Sequence, residues 1–252
     1  MGHGMLPFYD LPVFCIVDLN RFCVKLFFLQ NRRNAMNRKR TSCGFGISIF
    51  FALFLIGSLY SGERMSPEEA IKKLMEGNRR YVTDQLEHPN RNQESREAVR
   101  ATQTPFAIIL GCSDSRVSPE IVFDQGIGDL FVVRVAGNVV GPVELDSVDF
   151  AAVYLNAAVI LVLGHENCGA VQAVLNRNTQ DIPAIAEKIG PAIKNIAPGL
   201  PDTVKEAVKA NVRHVIDQLK HSRLLSELIA QKKIDIIGGY YNLSTGEVEP
   251  VR

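Results

Sequence analysis

"FAIILGCSDSR", residues 106–116, decides how the rest of the chain is read. The apolar run from Phe106 to Leu110 is short, dense in large aliphatic residues and closed by Gly111. That is the pattern of a strand buried on both faces, as in a parallel sheet. Directly beyond it stand Cys112, Asp114 and Arg116 at alternate positions. A thiol, an acid and a base are odd company for a core strand. They belong just past its carboxyl end, where open α/β sheets bind their ligands.

Working outward, "LFVVRVAG" (130–137), "AVILVLGH" (158–165) and "IDIIGGYYNL" (234–243) read as further strands. Between them "PVELDSVDFAAVYLNA" (142–157), "GAVQAVLN" (169–176) and "PDTVKEAVKANVRHVIDQLKH" (201–221) read as helices. In the last, Val204, Val208, Val212, Val215 and Leu219 form a stripe at helical spacing. Strands alternating with helices predict an α/β fold with a mostly parallel central sheet flanked by helices. Ser244 to Gly246 is a turn that closes an antiparallel edge hairpin. Upstream, Ser66, Pro67 and Glu69 open a helix with a capping box, and Ile71, Leu74, Asn78 and Tyr81 follow on one side. The polar stretch after Val82 is either a surface loop or part of an oligomer interface.

"LGHENCGAV" (163–171) answers the first constellation. His165 and Cys168 can reach one ion across a tight turn, and the topology brings Cys112 to the same sheet edge. Cys, His and Cys make three ligands of a tetrahedral zinc site with the fourth position open or filled by a carboxylate. The remaining histidines downstream, His88, His214 and His221, fall in a polar loop and on a helix away from the strand ends. Asp114 is the available carboxylate. Arg116 can pair with it and keep it ionised. By itself D-x-R is an ordinary loop ion pair; the flanking Cys and the distant H-x-x-C reverse that reading. Cys168 opens a helix, which favours its thiolate. Gly169 either lets the backbone approach a small ligand or serves tight helix–strand packing.

The 252 residues, 46% hydrophobic and 22% charged, fit a globular chain, and a net charge of +1 gives no general reason to expect a nucleic-acid partner. Of the five cysteines only Cys112 and Cys168 lie in the α/β body, so no disulfide framework is available there. Near the amino terminus, Arg38 to Arg40 precede an apolar run from Phe45 to Tyr60 and then Ser61 and Gly62. This is the order of a secretory signal peptide, with an uncleaved anchor as the alternative. Three segments are expected: an upstream extension over 1–35 with translation starting at Met36, a signal peptide or anchor over 36–62, and one domain over 63–252. An exported, periplasmic protein follows, touching a membrane only if the anchor is retained.

"CSDSR", then "FDQGIGDLFVVRVAGN", then "GHENCGA" resembles the β-class carbonic anhydrases from about Ser66 to Val251. The resemblance implies about four parallel strands plus an antiparallel edge strand, with an N-terminal helical arm that embraces a neighbouring subunit. It implies one zinc per subunit on Cys112, His165 and Cys168, with Asp114 joining the metal only in a closed state. It implies Asp114 and Arg116 as a catalytic dyad, and a substrate contact from Gln103 of the partner subunit, to which the backbone at Gly169 can add. Homodimers or tetramers are expected, and the reaction implied is reversible hydration of carbon dioxide to bicarbonate by zinc-bound hydroxide. The chain has no Trp, which departs from members that use one in an allosteric bicarbonate site. The competing readings are carbon disulfide or carbonyl sulfide hydrolysis on the same fold, a non-catalytic zinc protein, and thiol redox chemistry between the two cysteines.

Overall fold

In the computed structural model, residues 64–197, 199 and 202–252 are described. The expected upstream extension and signal segment, residues 1–35 and 36–62, lie outside them. Helix α1 (Pro67–Val82) starts as its sequence demands: the Ser66 hydroxyl accepts from the Glu69 amide, and the Glu69 carboxylate accepts from the Ser66 amide at 2.9 Å. Its inner face buries Ala70, Leu74, Gly77 and Asn78. Asn78 is satisfied there. Its amide donates to Val122 O and Gly246 O, and its carbonyl accepts from Val248 N.

Strands β1 (Ala107–Gly111), β2 (Leu130–Arg134), β3 (Val159–His165), β4 (Asp235–Tyr241) and β5 (Val248–Val251) form one sheet in the order β2-β1-β3-β4-β5. The first four pair in parallel and β5 pairs antiparallel with β4, as the edge hairpin predicted. The helices after α1 are α2 (Gln93–Ala98), α3 (Pro119–Val122), α4 (Pro142–Tyr154), α5 (Gly169–Leu175), α6 (Pro183–Ile193), α7 (Thr203–Lys220) and α8 (Arg223–Ala230).

Alternation along the strands sorts the core into two layers. Ile108, Leu110, Ile160 and Val162 point into a cluster with residues of α4, α5, α6 and α7. Ala107, Ile109, Leu161 and Leu163 point into another with Ala70, Leu74 and Phe123. Cys112 keeps the parity of Ile108 and Leu110 and joins the first layer. Helix α7 lies close on β3 because Gly164 carries no side chain. A Cβ there would stand 2.7 Å from both Val208 and Val212.

Several boundaries differ from the sequence reading. The run 130–137 stops being a strand at Arg134 and passes into a short 3-10 turn, Ala136–Asn138. Gly137 and Asn138 adopt φ of 73° and 43°, left-handed values that cannot continue a strand. Helix α4 ends at Tyr154 rather than 157, followed by left-handed Asn156. The polar stretch after Val82 contains α2 and is anchored by Asp124, which is fully buried. Asp124 accepts from Arg80 Nε at 2.7 Å and from the amides of Glu87 and His88 at 3.0 Å.

Candidate active site

The strand order reverses direction between β1 and β3, since β2 lies on one side of β1 and β3 on the other. A crevice opens at the carboxyl ends of such a pair, and ligands bind in it. Gly111 is in register with Leu163, so the residues that follow β1 meet those that end β3. The Sγ atoms of Cys112 and Cys168 and a ring nitrogen of His165 all lie within 4.8 Å of one another. All three residues are buried, His165 completely.

His165 Nδ1 is 2.9 Å from the Glu166 carbonyl, to which its N–H donates. In the neutral ring that leaves Nε2 unprotonated, and this buried atom has no hydrogen-bond partner among the described residues. A fully buried lone pair facing two thiols is what a metal would satisfy. The turn between His165 and Cys168 depends on Asn167, left-handed at φ 52°, a conformation that Asn tolerates. Cys168 is the N-cap residue of α5.

The thiols affect each other. Cys168 beside it, then His165 and backbone amides, pull the Cys112 thiol down against the burial that opposes it. Cys168 is pushed up because Cys112 beside it takes the negative charge first and because it is deeply buried. Burial disfavours charge on His165, yet the neighbouring Cys112 thiolate outweighs this and raises its pKa. Soft, closely spaced sulfur and nitrogen donors suit a borderline-soft ion such as zinc.

Asp114 and Arg116 form a fork at the rim. Asp114 Oδ1 accepts from Arg116 Nε at 2.9 Å and from its amide at 3.0 Å, and Oδ2 accepts from the guanidinium at 2.7 Å. The Arg116 bond holds the Asp114 carboxyl well below the usual carboxylate range. Oδ2 also stands 3.8 Å from His165 Nε2, so the carboxylate borders the cluster. Gly169 is exposed, and a Cβ there would meet nothing within 4 Å. Tight packing therefore does not explain this glycine, and the backbone at the start of α5 is open to a ligand. Gln103 is exposed in the loop entering β1, at the opposite end of that strand from Cys112. The protomer's own fold does not bring it to the cluster.

Arg134 was not among the expected site residues, yet it clamps the loop. Its Nε donates to Cys112 O at 3.0 Å and its terminal nitrogen to Asp114 O at 2.7 Å. A charged residue inside the apolar "LFVVRVAG" was the available signal.

A mostly parallel sheet with a buried Cys-His-Cys cluster at its switch point is the architecture of an α/β enzyme whose site could hold a metal. Residues 107–248 match the carbonic anhydrase family. Carbonic anhydrase 2 of Mycobacterium tuberculosis is 38% identical over 191 residues, 72% of this chain and 91% of its own. The Coccomyxa β-carbonic anhydrase solved in complex with acetazolamide is 27% identical with a TM-score of 0.58, over 71% of this chain and 84% of its own. One of two tetrameric β-carbonic anhydrases from Sordaria macrospora shares the fold at 19% identity and a TM-score of 0.57, over 81% and 97% of the respective chains. The chain belongs to the β-carbonic anhydrase family, and it is a carbonic anhydrase.

Proposed function

We propose that this protein interconverts carbon dioxide and bicarbonate with a zinc ion held by Cys112, His165 and Cys168, and with Asp114 and Arg116 as the dyad that orients the nucleophile. The observation that carries this reading is the buried His165 Nε2, without a hydrogen-bond partner among the described residues, beside two buried thiols. Zinc in such a site supplies the Lewis acidity that makes hydroxide available from water near neutral pH. Asp114, held ionised by Arg116, accepts a hydrogen bond from the nucleophile and turns its lone pair toward carbon. Arg116 keeps that carboxylate in one rotamer, and Arg134 keeps its backbone in place. The open backbone at Gly169 leaves room for substrate oxygens.

Self-association completes the reading. Strand β2 is a sheet edge, and beside it Phe131, Phe150 and Tyr154 form a ring cluster with centroids 6.4 and 5.3 Å apart. Val143 and Tyr154 are 73% and 72% exposed. An apolar strip on an unpaired edge favours a second copy, whose Gln103 would then reach the substrate. Residues 36–62 favour export to the periplasm.

Stopped-flow hydration of carbon dioxide tests the function, with zinc analysis on the same sample. Stoichiometric zinc, rapid turnover and loss of both after chelation are expected, and Cys168→Ser should lose metal and activity together. Full turnover by zinc-free protein would overturn the reading.

A further inference from the structure

Helix α7 packs an apolar stripe on the sheet, with Ala207, Val208, Val212, Val215 and Leu219 all buried. Asn211 interrupts that stripe and is itself completely buried. An amide in such a place destabilises the fold unless it is bonded. Its one bond is specific: Nδ2 donates to Gly137 O at 2.8 Å, while Oδ1 has no partner among the described residues. Gly137 in turn donates its N–H to Cys112 Sγ at 3.3 Å. The glycine sits at φ 73°, where a side chain would be strained, and a Cβ would stand 2.8 Å from Ile189 and 3.2 Å from Ala170. The residue that aims an N–H at the thiolate is thus hemmed in by α5 and α6 and bonded from α7.

We propose that Asn211 is a positioning residue of the metal centre: through Gly137 it aims a backbone N–H at Cys112 Sγ and stabilises that thiolate as a ligand. The bond to Gly137 O resists rotation of the left-handed turn, and the N–H spreads part of the sulfur's negative charge. A well-packed apolar residue at 211 would serve the core equally well, so core packing does not account for the amide.

The inference rests on the zinc reading above, and the test separates the two. Zinc-loaded wild type, Asn211→Leu, and Val215→Ala as a packing control are compared in two measurements. One is the rate of zinc transfer to a chromophoric chelator. The other is the thiolate-to-metal charge-transfer band of the cobalt-substituted protein. Asn211→Leu should release zinc roughly 10- to 100-fold faster, the scale for losing an outer partner of a ligand. Its band should move to longer wavelength, because a thiolate without its N–H gives up electrons more readily. Val215→Ala should lower the melting temperature with release and band unchanged. Should Asn211→Leu fail to fold, Asn211→Ala, which removes the same donor, carries both measurements. Wild-type release and an unmoved band in the folded variant would overturn the proposal. Wild-type protein that binds no zinc would instead overturn the metal reading.

Discussion

The protein holds two aspartate–arginine pairs built for opposite purposes. Asp114 and Arg116 are near neighbours in sequence, and their side chains are 17% and 51% exposed. Asp124 and Arg80 come from distant segments, at 0% and 18%. Asp124 uses both oxygens for closure: one takes Arg80 and the Glu87 amide, the other the His88 amide. It ties α1, the polar stretch and the end of α3 into one corner. Asp114 spends its oxygens on a single arginine and one amide, and Oδ2 still borders His165. A buried carboxylate with both oxygens bonded inside the fold is architecture. An exposed pair at a ligand cluster, with an edge left over, fits the chemistry proposed for it.

The largest expected effect lies in the buried pair. Asp124→Ala takes the carboxylate from Arg80, leaving it the residue-124 carbonyl and the more distant Glu87, and orphans two amides. Breaking a buried pair this way costs about 3–5 kcal/mol, to be read by urea unfolding of the zinc-loaded protein. Molecules that remain folded should turn over carbon dioxide near the wild-type rate. A loss below about 1 kcal/mol, the scale of surface pairs, would erase the distinction between the two.

Asp114→Asn should give the reverse pattern. Turnover is expected to fall by roughly 10²-fold or more, the scale of a lost positioned acid–base group. Zinc content and melting temperature should stay near wild type. A drop in stability matching that of Asp124→Ala would make Asp114 a second structural anchor. A smaller loss of turnover is expected for Arg116→Lys, which keeps charge but not the two-pronged geometry. Combining it with Asp114→Asn should add little further loss, because the pair acts as a unit. Fully multiplicative losses would show that the two residues act separately.

These pairs also mark what a single sequence reveals. Asp114 and Arg116 are two positions apart, next to a cysteine at the end of an apolar run, so composition and spacing disclose them. The Cys112, His165 and Cys168 cluster is legible for a related reason: parallel strands deliver their carboxyl ends to one edge whatever lies between. Asp124, Arg80, Asn211 and Gly137 meet only through tertiary contacts. Nothing local distinguishes Asp124 in "FDQGIGDL" from a surface acid, and Asn211 reads as one polar residue in an amphipathic helix. The end of β2 at Arg134 was missed because the left-handed residues that stop it sit inside an apolar pattern that favours extension. Gln103 stays apart from the cluster in one protomer, since it lies at the wrong end of β1.

The smallest predicted difference is in acid. Burial opposes ionisation of Asp124, but the Glu87 amide, Arg80 and the His88 amide outweigh it and lower its pKa. Asp114 is lowered chiefly by its bond to Arg116. A carboxyl whose folded pKa lies below its unfolded value of about 3.9 stabilises the fold above that pH. The contribution fades as pH falls toward the folded value. Both pairs therefore steepen the loss of stability below about pH 4, in the same direction but unequally. Solvent and salt screen the exposed pair, whereas Asp124 is shielded. Unfolding free energy measured from pH 5 to pH 3 should fall less steeply in Asp124→Asn than in wild type. Asp114→Asn should flatten the slope in the same direction but by less. Protonation of the thiol and imidazole ligands is common to wild type and Asp124→Asn, whereas His165 loses a neighbouring charge in Asp114→Asn. Equal flattening by the two substitutions would mean that solvent reaches Asp124 as freely as Asp114, and the contrast between the pairs would fail at its physical root.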